Sequence, residues 1–346
     1  LRRALRSVLR QRDGKAMYSS DSPLFQHVLE FLRFDARTAV GNDRLGFLDR
    51  TPFVELLIMA EVVQFAYDYA IPTVTSTLLH PLVYARTMMM LGYEPEPPVL
   101  RPVLYTLVNK NYRRLVYPNI FSYLSRLRED VGLFCLFTTG LPASIVGAYI
   151  KSYSTERVME RFTGCAFKKT FYVTNQGVRV FLIETSKLTA ARALGVTVSY
   201  PFQVIMVRQM AEFLGTDGSY SNFLFAIPRI IKEEGILSLF NGLIPRLLGE
   251  IITVWMISCF VYVLNQYVFT KNVDPSLKEH TPMIASMIVS NTTHPLTVTS
   301  SVMAVSGSRL EIALPFKNWW DCYQFLSHRG ALSRGSSLFF RYAPIQ

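Results

Sequence analysis

The sequence predicts an all-α membrane protein, a bundle built from three copies of one unit, each with an odd-numbered helix that runs into a proline. Three observations carry this. Apolar stretches end at His80-Pro81, Tyr200-Pro201 and His294-Pro295, with the prolines 120 and 94 residues apart. Each is followed some 40 to 60 residues later by a glycine beside a second apolar stretch, at Gly140, Gly242 and Gly335. Half of the 346 residues are apolar, only 18% are charged, and the mean hydropathy is +0.23. That charge content is low for a soluble domain. A repeat near 100 residues sets the architecture before any local propensity does. The division expected is a soluble basic extension over 1–55 and repeats over 56–170, 171–275 and 276–346.

A bilayer span needs about 20 mostly apolar residues. Val131–Ile150, Ile251–Thr270 and Thr281–Ser308 carry no Asp, Glu, Lys or Arg and read as spans directly. Phe65–Val83, with Asp68, and Val178–Val207, with Glu184, Lys187 and Arg192, are spans by their alignment with the third copy. Proline inside a span is tolerated where neighbouring groups satisfy the freed backbone; Pro81, Pro201 and Pro295 are read as kinks. Arg101–Asp130 and Phe223–Glu234 read as basic amphipathic helices lying in the headgroup region. The third copy is short. The sequence ends at Gln346, where the partner helix of that copy is expected to begin, so five spans stand on a six-helix plan and one flank of the bundle is open.

A net charge of +11 draws a protein to anionic headgroups; nucleic-acid binding requires a basic, soluble face, which the apolar runs exclude. Cys135, Cys165, Cys259 and Cys322 are widely separated, without metal-ligand spacing; three of them sit in or near apolar sequence and are on that ground read as small packing residues. The sequence holds no GxxxxGK, GxGxxG, HExxH or GxSxG motif. The expectation is therefore a non-enzyme with no cofactor and no metal. Arg2, Arg3, Arg6, Arg10, Arg12 and Lys15 among Leu1, Leu5, Val8 and Leu9 suit either a mitochondrial presequence or a basic tail.

With these residues in view, the chain resembles the mitochondrial carrier superfamily, whose odd helices end in a Pro-x-acid-x-x-base pattern. Pro81-Leu82-Val83-Tyr84-Ala85-Arg86 keeps the base and has Val83 for the acid. In the second copy Gln203 replaces the acid and only the outer base, Arg208, remains; Pro295-Leu296-Thr297-Val298-Thr299-Ser300 has neither. In carriers these charges form a salt-bridge gate. Its loss argues against alternating access. Leu91-Gly92-Tyr93-Glu94-Pro95-Glu96-Pro97-Pro98, the run from Glu233 through Asn241-Gly242-Leu243-Ile244-Pro245-Arg246 to Glu250, and Ser333-Arg334-Gly335 through Arg341 are similar to a narrower branch, the mitochondrial carrier homologs. Together the three motifs cover roughly residues 75–341. The resemblance implies a multi-pass protein of the mitochondrial outer membrane. It implies insertion of α-helical proteins there, tail-anchored ones included, with transmembrane clients, phospholipids and pro-apoptotic proteins as partners. Lipid scrambling through the same groove, a receptor for pro-apoptotic proteins and a solute carrier are the competing functions.

An insertase needs a wet groove rather than covalent chemistry, and ionisable groups within spans face such a cavity or a bundle interior. The residues expected to line it are Arg86, Glu184, Lys187, Arg192, Arg246 and Glu250, with Asn291, Thr293, His294 and Thr297 beside the missing helix. Glu184 and Lys187 at i,i+3, and Arg246 and Glu250 at i,i+4, either contact a client or pair along their own helix. Lys151 and Arg208, near span ends, either do the same or snorkel to headgroups. Arg86 is the cation least explained by local partners.

Overall fold

The computed structural model describes residues 71, 73–102, 113–163, 177–214, 223–268, 275–308, 310, 312–339 and 341–343. The basic extension, Cys165 and the first part of the Phe65–Val83 stretch, with Asp68, lie outside them. Two compact units are distinguished, residues 1–76 with 165–168, and residues 77–164 with 169–346. All that follows concerns the second.

Its first helix, α1, covers 77–91 and contains Pro81. The prolines at 95, 97 and 98 break the chain after it, and an antiparallel pair follows, β1 (Val99–Pro102) and β2 (Arg113–Val116), with Val99 opposite Val116. The helix expected over Arg101–Asp130 is thus strand at its start. Among the described residues only its last part is helical, as α2 (Ile120–Val131), capped by Asn119, whose side chain accepts from the Ser122 amide at 3.2 Å. The short α3 (Leu133–Thr138) leads into α4 (Leu141–Thr163); then come α5 (Val178–Ala211), α6 (Phe223–Glu234), α7 (Leu243–Val263), α8 (Pro275–Val305) and α9 (Trp319–His328). Helix α6 matches the amphipathic helix expected there.

Among the described residues three stretches are long and apolar enough to cross a membrane, Leu133–Phe162, Val178–Leu214 and Ile236–Tyr267. Helix α8 runs unbroken through Thr281–Val305, but its Ser, Thr and Asn content dilutes its apolar character. Two expected spans are displaced. Gly132 and Gly140 hold positive φ of 88° and 78° and break the Val131–Ile150 run, so the long helix is Leu141–Thr163. Gly242, at φ 83°, starts the later helix at Leu243 rather than Ile251. Lys151 and Glu250 consequently lie within helices rather than at their ends, and Arg246 stands in the first turn of α7.

The repeats are joined by one device used three times. The residue before each proline bonds the carbonyl just ahead of its own copy's glycine: His80 Nε2 to Thr139 O at 2.8 Å, Tyr200 Oη to Asn241 O at 2.7 Å and His294 Nε2 to Arg334 O at 2.7 Å. The glycine then abuts the carbonyl five residues past the proline of the next copy. A Cβ on Gly140 would stand 3.2 Å from Met206 O, on Gly242 2.6 Å from Ser300 O, and on Gly335 3.2 Å from Arg86 O. Copy one thus seats on two, two on three and three on one, and the ring closes.

On the C-terminal side of the prolines the helices seal against one another. Tyr84, Met88, Val204, Ile205, Met210 and Val298 are fully buried. Tyr84 donates to Met210 O at 2.7 Å and Arg208 Nε to Ala304 O at 2.9 Å. Arg208 is 0% exposed and grips Glu234 of α6 through two bonds, 2.6 and 2.8 Å; it is a buried tie, not a snorkelling end group. After Gly140 and Gly242 a long helix starts at once, whereas the described residues after Gly335 turn to β2. Tyr117 N donates to Arg341 O at 2.8 Å and Ala343 N to Leu115 O at 2.9 Å. Arg341 is buried, ion-paired with Glu94, bonded to Pro118 O at 3.1 Å and stacked 4.9 Å from the Tyr123 ring.

Cys135 and Cys259 are exposed, against the packing role expected for them, whereas Cys322 of α9 is buried and burial pushes its thiol up to about 12. At pH 8 it stays protonated and out of reach. Maleimide should label it only after denaturation, whereas labelling of the folded protein at Cys322 would contradict the packing of α9. For the ring, Gly242→Ala adds a Cβ at positive φ against Ser300 O, Met303 and Tyr200 and should cost at least ~1 to 3 kcal/mol. Gly177→Ala, with open space around it, should stay within ~0.5 kcal/mol of wild type. Thermal unfolding in detergent compares the two.

Candidate functional site: one acid among three cations

The site is set by a close approach of α4 to α5. A Cβ on Gly195 would fall 2.3 Å from Thr155 Oγ1 and 2.9 Å from Lys151 O, so only glycine lets the helices touch there. Lys151 of α4 and Arg192 of α5 are thereby brought to Glu250 of α7. Lys151 Nζ lies 3.3 and 3.2 Å from the two carboxylate oxygens, and Arg192 Nη1 3.5 Å from one of them. The Glu250 side chain is 13% exposed, those of Lys151 and Arg192 35% and 37%. Arg246, one turn before Glu250, adds a third cation, and its Nε is buried without a hydrogen-bond partner among the described residues. Three cations on one acid leave the cluster about +2, partly open to solvent and set within helices that are otherwise apolar.

The structure thus brings Arg192, Arg246 and Glu250 together, and adds Lys151, which span boundaries alone had put near a helix end. Glu250 pairs across helices, and no ion pair joins it to Arg246 among the described residues. Glu184 and Lys187 pair along α5 at 3.3 Å, away from the cluster. Arg86 is exposed and reaches over the ring, Nη2 donating to His294 Nδ1 at 3.4 Å. Since His294 Nε2 faces a carbonyl at 2.7 Å, it carries the ring proton; Nδ1 is the acceptor and the imidazole is neutral. His294 is buried in that role rather than lining a groove. Thr293 is buried against α7, receiving a bond from Thr253 Oγ1 at 3.1 Å. Thr297 is half-buried and accepts from Ser301 through its carbonyl at 3.0 Å. Asn291 is exposed.

Several hydroxyls of α8 do not require water or a client. Ser286 and Ser290 donate to Met283 O and Met287 O at 2.7 and 3.0 Å, Thr299 to Pro295 O at 2.9 Å and Ser300 to Gly242 O at 2.9 Å. Back-bonding of this kind is how Ser and Thr sit in apolar helices. The sequence count of polar residues overstated the polarity of this surface.

Removing Glu250 leaves three cations without an acid. Breaking a buried pair costs ~3 to 5 kcal/mol and an exposed one ~0 to 1; this half-buried cluster lies between, so Glu250→Gln should cost about 2 kcal/mol. Lys151→Gln should cost less, because Arg192 still meets the acid, and the double variant should recover part of the loss. Unfolding midpoints of the four proteins form the cycle that checks it.

The family model described as mitochondrial carrier protein matches residues 188–272, from within α5 to just beyond α7. The chain is 30% identical over 284 residues to mitochondrial carrier homolog 2 of Mus musculus, covering 77% of this chain and 90% of that protein. It is 30% identical over 285 residues to mitochondrial carrier homolog 2 of Homo sapiens, with the same coverage. To mitochondrial carrier homolog 1 of Mus musculus it is 29% identical over 299 residues, 77% of this chain and 74% of the relative. With the three-repeat helical bundle and its apolar spans, this similarity makes the chain a membrane protein of the mitochondrial carrier homolog family.

Proposed function

We propose that this protein inserts α-helical membrane proteins, tail-anchored ones among them, into the mitochondrial outer membrane. The observation that carries the reading is the Lys151–Arg192–Arg246–Glu250 cluster. Charge inside apolar helices is costly and is retained here with two cations more than one carboxylate can neutralise. More than a third of the Lys151 and Arg192 side chains remains open. Such a cluster can hold water, shelter the polar flank of an incoming helix and lower the cost of its passage. A solute path is disfavoured by the sealed layer past the prolines. Its ties run from Tyr84 and Arg208 to backbone carbonyls, and Val83, Gln203 and Thr297 offer no acid for a substrate to exchange.

The same excess of positive charge would suit a phosphate headgroup, so scrambling is the second reading. Purified protein in liposomes, assayed in parallel for tail-anchor insertion and headgroup flipping, tests both. Arg192→Glu leaves the cluster with two cations and two acids, and Arg86→Glu changes an exposed side chain; each should alter insertion at least fivefold with expression unchanged. Flipping without insertion would replace the insertase reading with the scramblase one, and neither activity would refute both.

A further inference from the structure

Hydroxyls within the long helices commonly return to their own backbone. Thr155, Thr189, Thr197 and Thr253 each donate to the carbonyl four residues earlier, at 2.7 to 2.8 Å. Thr185 of α5 and Ser258 of α7 do not. They are 0% and 2% exposed, and neither hydroxyl has a hydrogen-bond partner among the described residues. A buried hydroxyl left unpaired is costly, and here two of them face each other. Phe181 packs on Tyr262 with ring centroids 4.6 Å apart, Arg192 reaches Glu250 at 3.5 Å and Tyr200 bonds Asn241 O at 2.7 Å. The two helices therefore run antiparallel, and Thr185 and Ser258 each stand four residues in from the aromatic pair. Ser258 lies on the α5 side of α7, in one row with Glu250, Val254 and Tyr262. The neighbouring row, Gly249, Thr253, Ile257 and Val261, turns to α8. The space between the hydroxyls is closed at both ends. Phe181 and Tyr262 cap it on one side, and buried Leu188 and Val254 part it from the charges around Glu250 on the other.

We propose that Thr185 and Ser258 form a binding site for one buried water molecule, which bridges α5 and α7. The site goes beyond the insertase reading and does not rest on it. Its chemistry selects the ligand. The two hydroxyls face each other without bonding directly, an arrangement that a bridging water completes. Each hydroxyl can donate and accept, so together they give a water the two or more polar partners it needs in an interior. An ion does not suit the place. Glu184 and Lys187, the charged residues of α5 at this height, pair with each other at 3.3 Å and leave no charge to hold one. An apolar ligand would leave both hydroxyls unpaired.

Cryo-electron microscopy of the full-length protein in nanodiscs, at a resolution that shows ordered water, should reveal a density peak about 3 Å from both Thr185 Oγ1 and Ser258 Oγ. Thr185→Val and Ser258→Ala each take one partner from the water and should lower the melting temperature by ~2 to 4 °C. The double variant removes the site altogether and should lose less than the two single losses added together. Dry, unpaired hydroxyls would behave in the opposite way, since each substitution would then relieve an unmet polar group and raise the melting point. Single variants that melt at or above the wild type, losses that simply add, direct contact between the two hydroxyls, or no density between them would overturn the site. Should either variant fail to fold, the wild-type map decides alone.

Discussion

The structure depends on the closed ring of three welds between pre-proline side chains, glycines and carbonyls. Each proline removes the amide that would have bonded the carbonyl four residues earlier, at Thr77, Thr197 and Asn291. The residue just before it, His80, Tyr200 or His294, sends its side chain across to the second half of its own copy. A net gain near 1 kcal/mol per hydrogen bond would not by itself hold three helix pairs. The larger effect is steric: the glycine that follows each accepting carbonyl touches the next copy's backbone, so one weld cannot slip without moving the next. The starts of α4 and α7 and the height of every charged residue along them follow from where those glycines sit.

The ring divides the bundle into two regimes. Past the prolines, packing is complete and polar groups end on backbone carbonyls or on the Arg208–Glu234 pair. Before them, helices meet at a few close approaches, such as Gly195 on Thr155, and charge survives half-exposed around Glu250. Protein interiors are bistable rather than continuously deformable, and a carrier-type gate needs acid–base pairs as its second state. Here the Arg208–Glu234 pair ties α5 to α6, and among the described residues no acid–base pair joins α1, α5 and α8 to one another, so the ring end serves as a fixed base and adaptability is left to the other end.

Much of this was legible in the sequence, because proline and glycine act through backbone chemistry that spacing reveals. His80-Pro81, Tyr200-Pro201 and His294-Pro295 marked the odd helices, and Gly140, Gly242 and Gly335 the second halves. Span boundaries were not legible: an uncharged run such as Val131–Ile150 does not show that Gly132 and Gly140 turn inside it, so Lys151 was misplaced at an end. The partners of Glu250 come from two other helices, and no local spacing encodes them; Arg246 at i,i+4 was the visible candidate and makes no ion pair with it among the described residues. The β1–β2 pair was hidden by a stretch that mixes strand and helix formers around four prolines.

Polar composition and polar surface also part company in α8. Ten Ser, Thr and Asn residues within Thr281–Ser301 suggested a wet wall, yet the hydroxyls of Ser286, Ser290, Thr299 and Ser301 turn back onto carbonyls of their own helix. The uncovered face that results is small-residue and methionine-rich, while the charge stands between α4, α5 and α7. On the reading proposed here, the two needs of an incoming helix are therefore met at different places. Its polar flank is stabilised by water and charge about Lys151, Arg192 and Glu250. Its apolar body meets exposed apolar side chains such as Met283, Ile284, Met287 and Ile288 of α8. An entirely polar groove would hold the first part and repel the second; an entirely apolar gap would do the reverse.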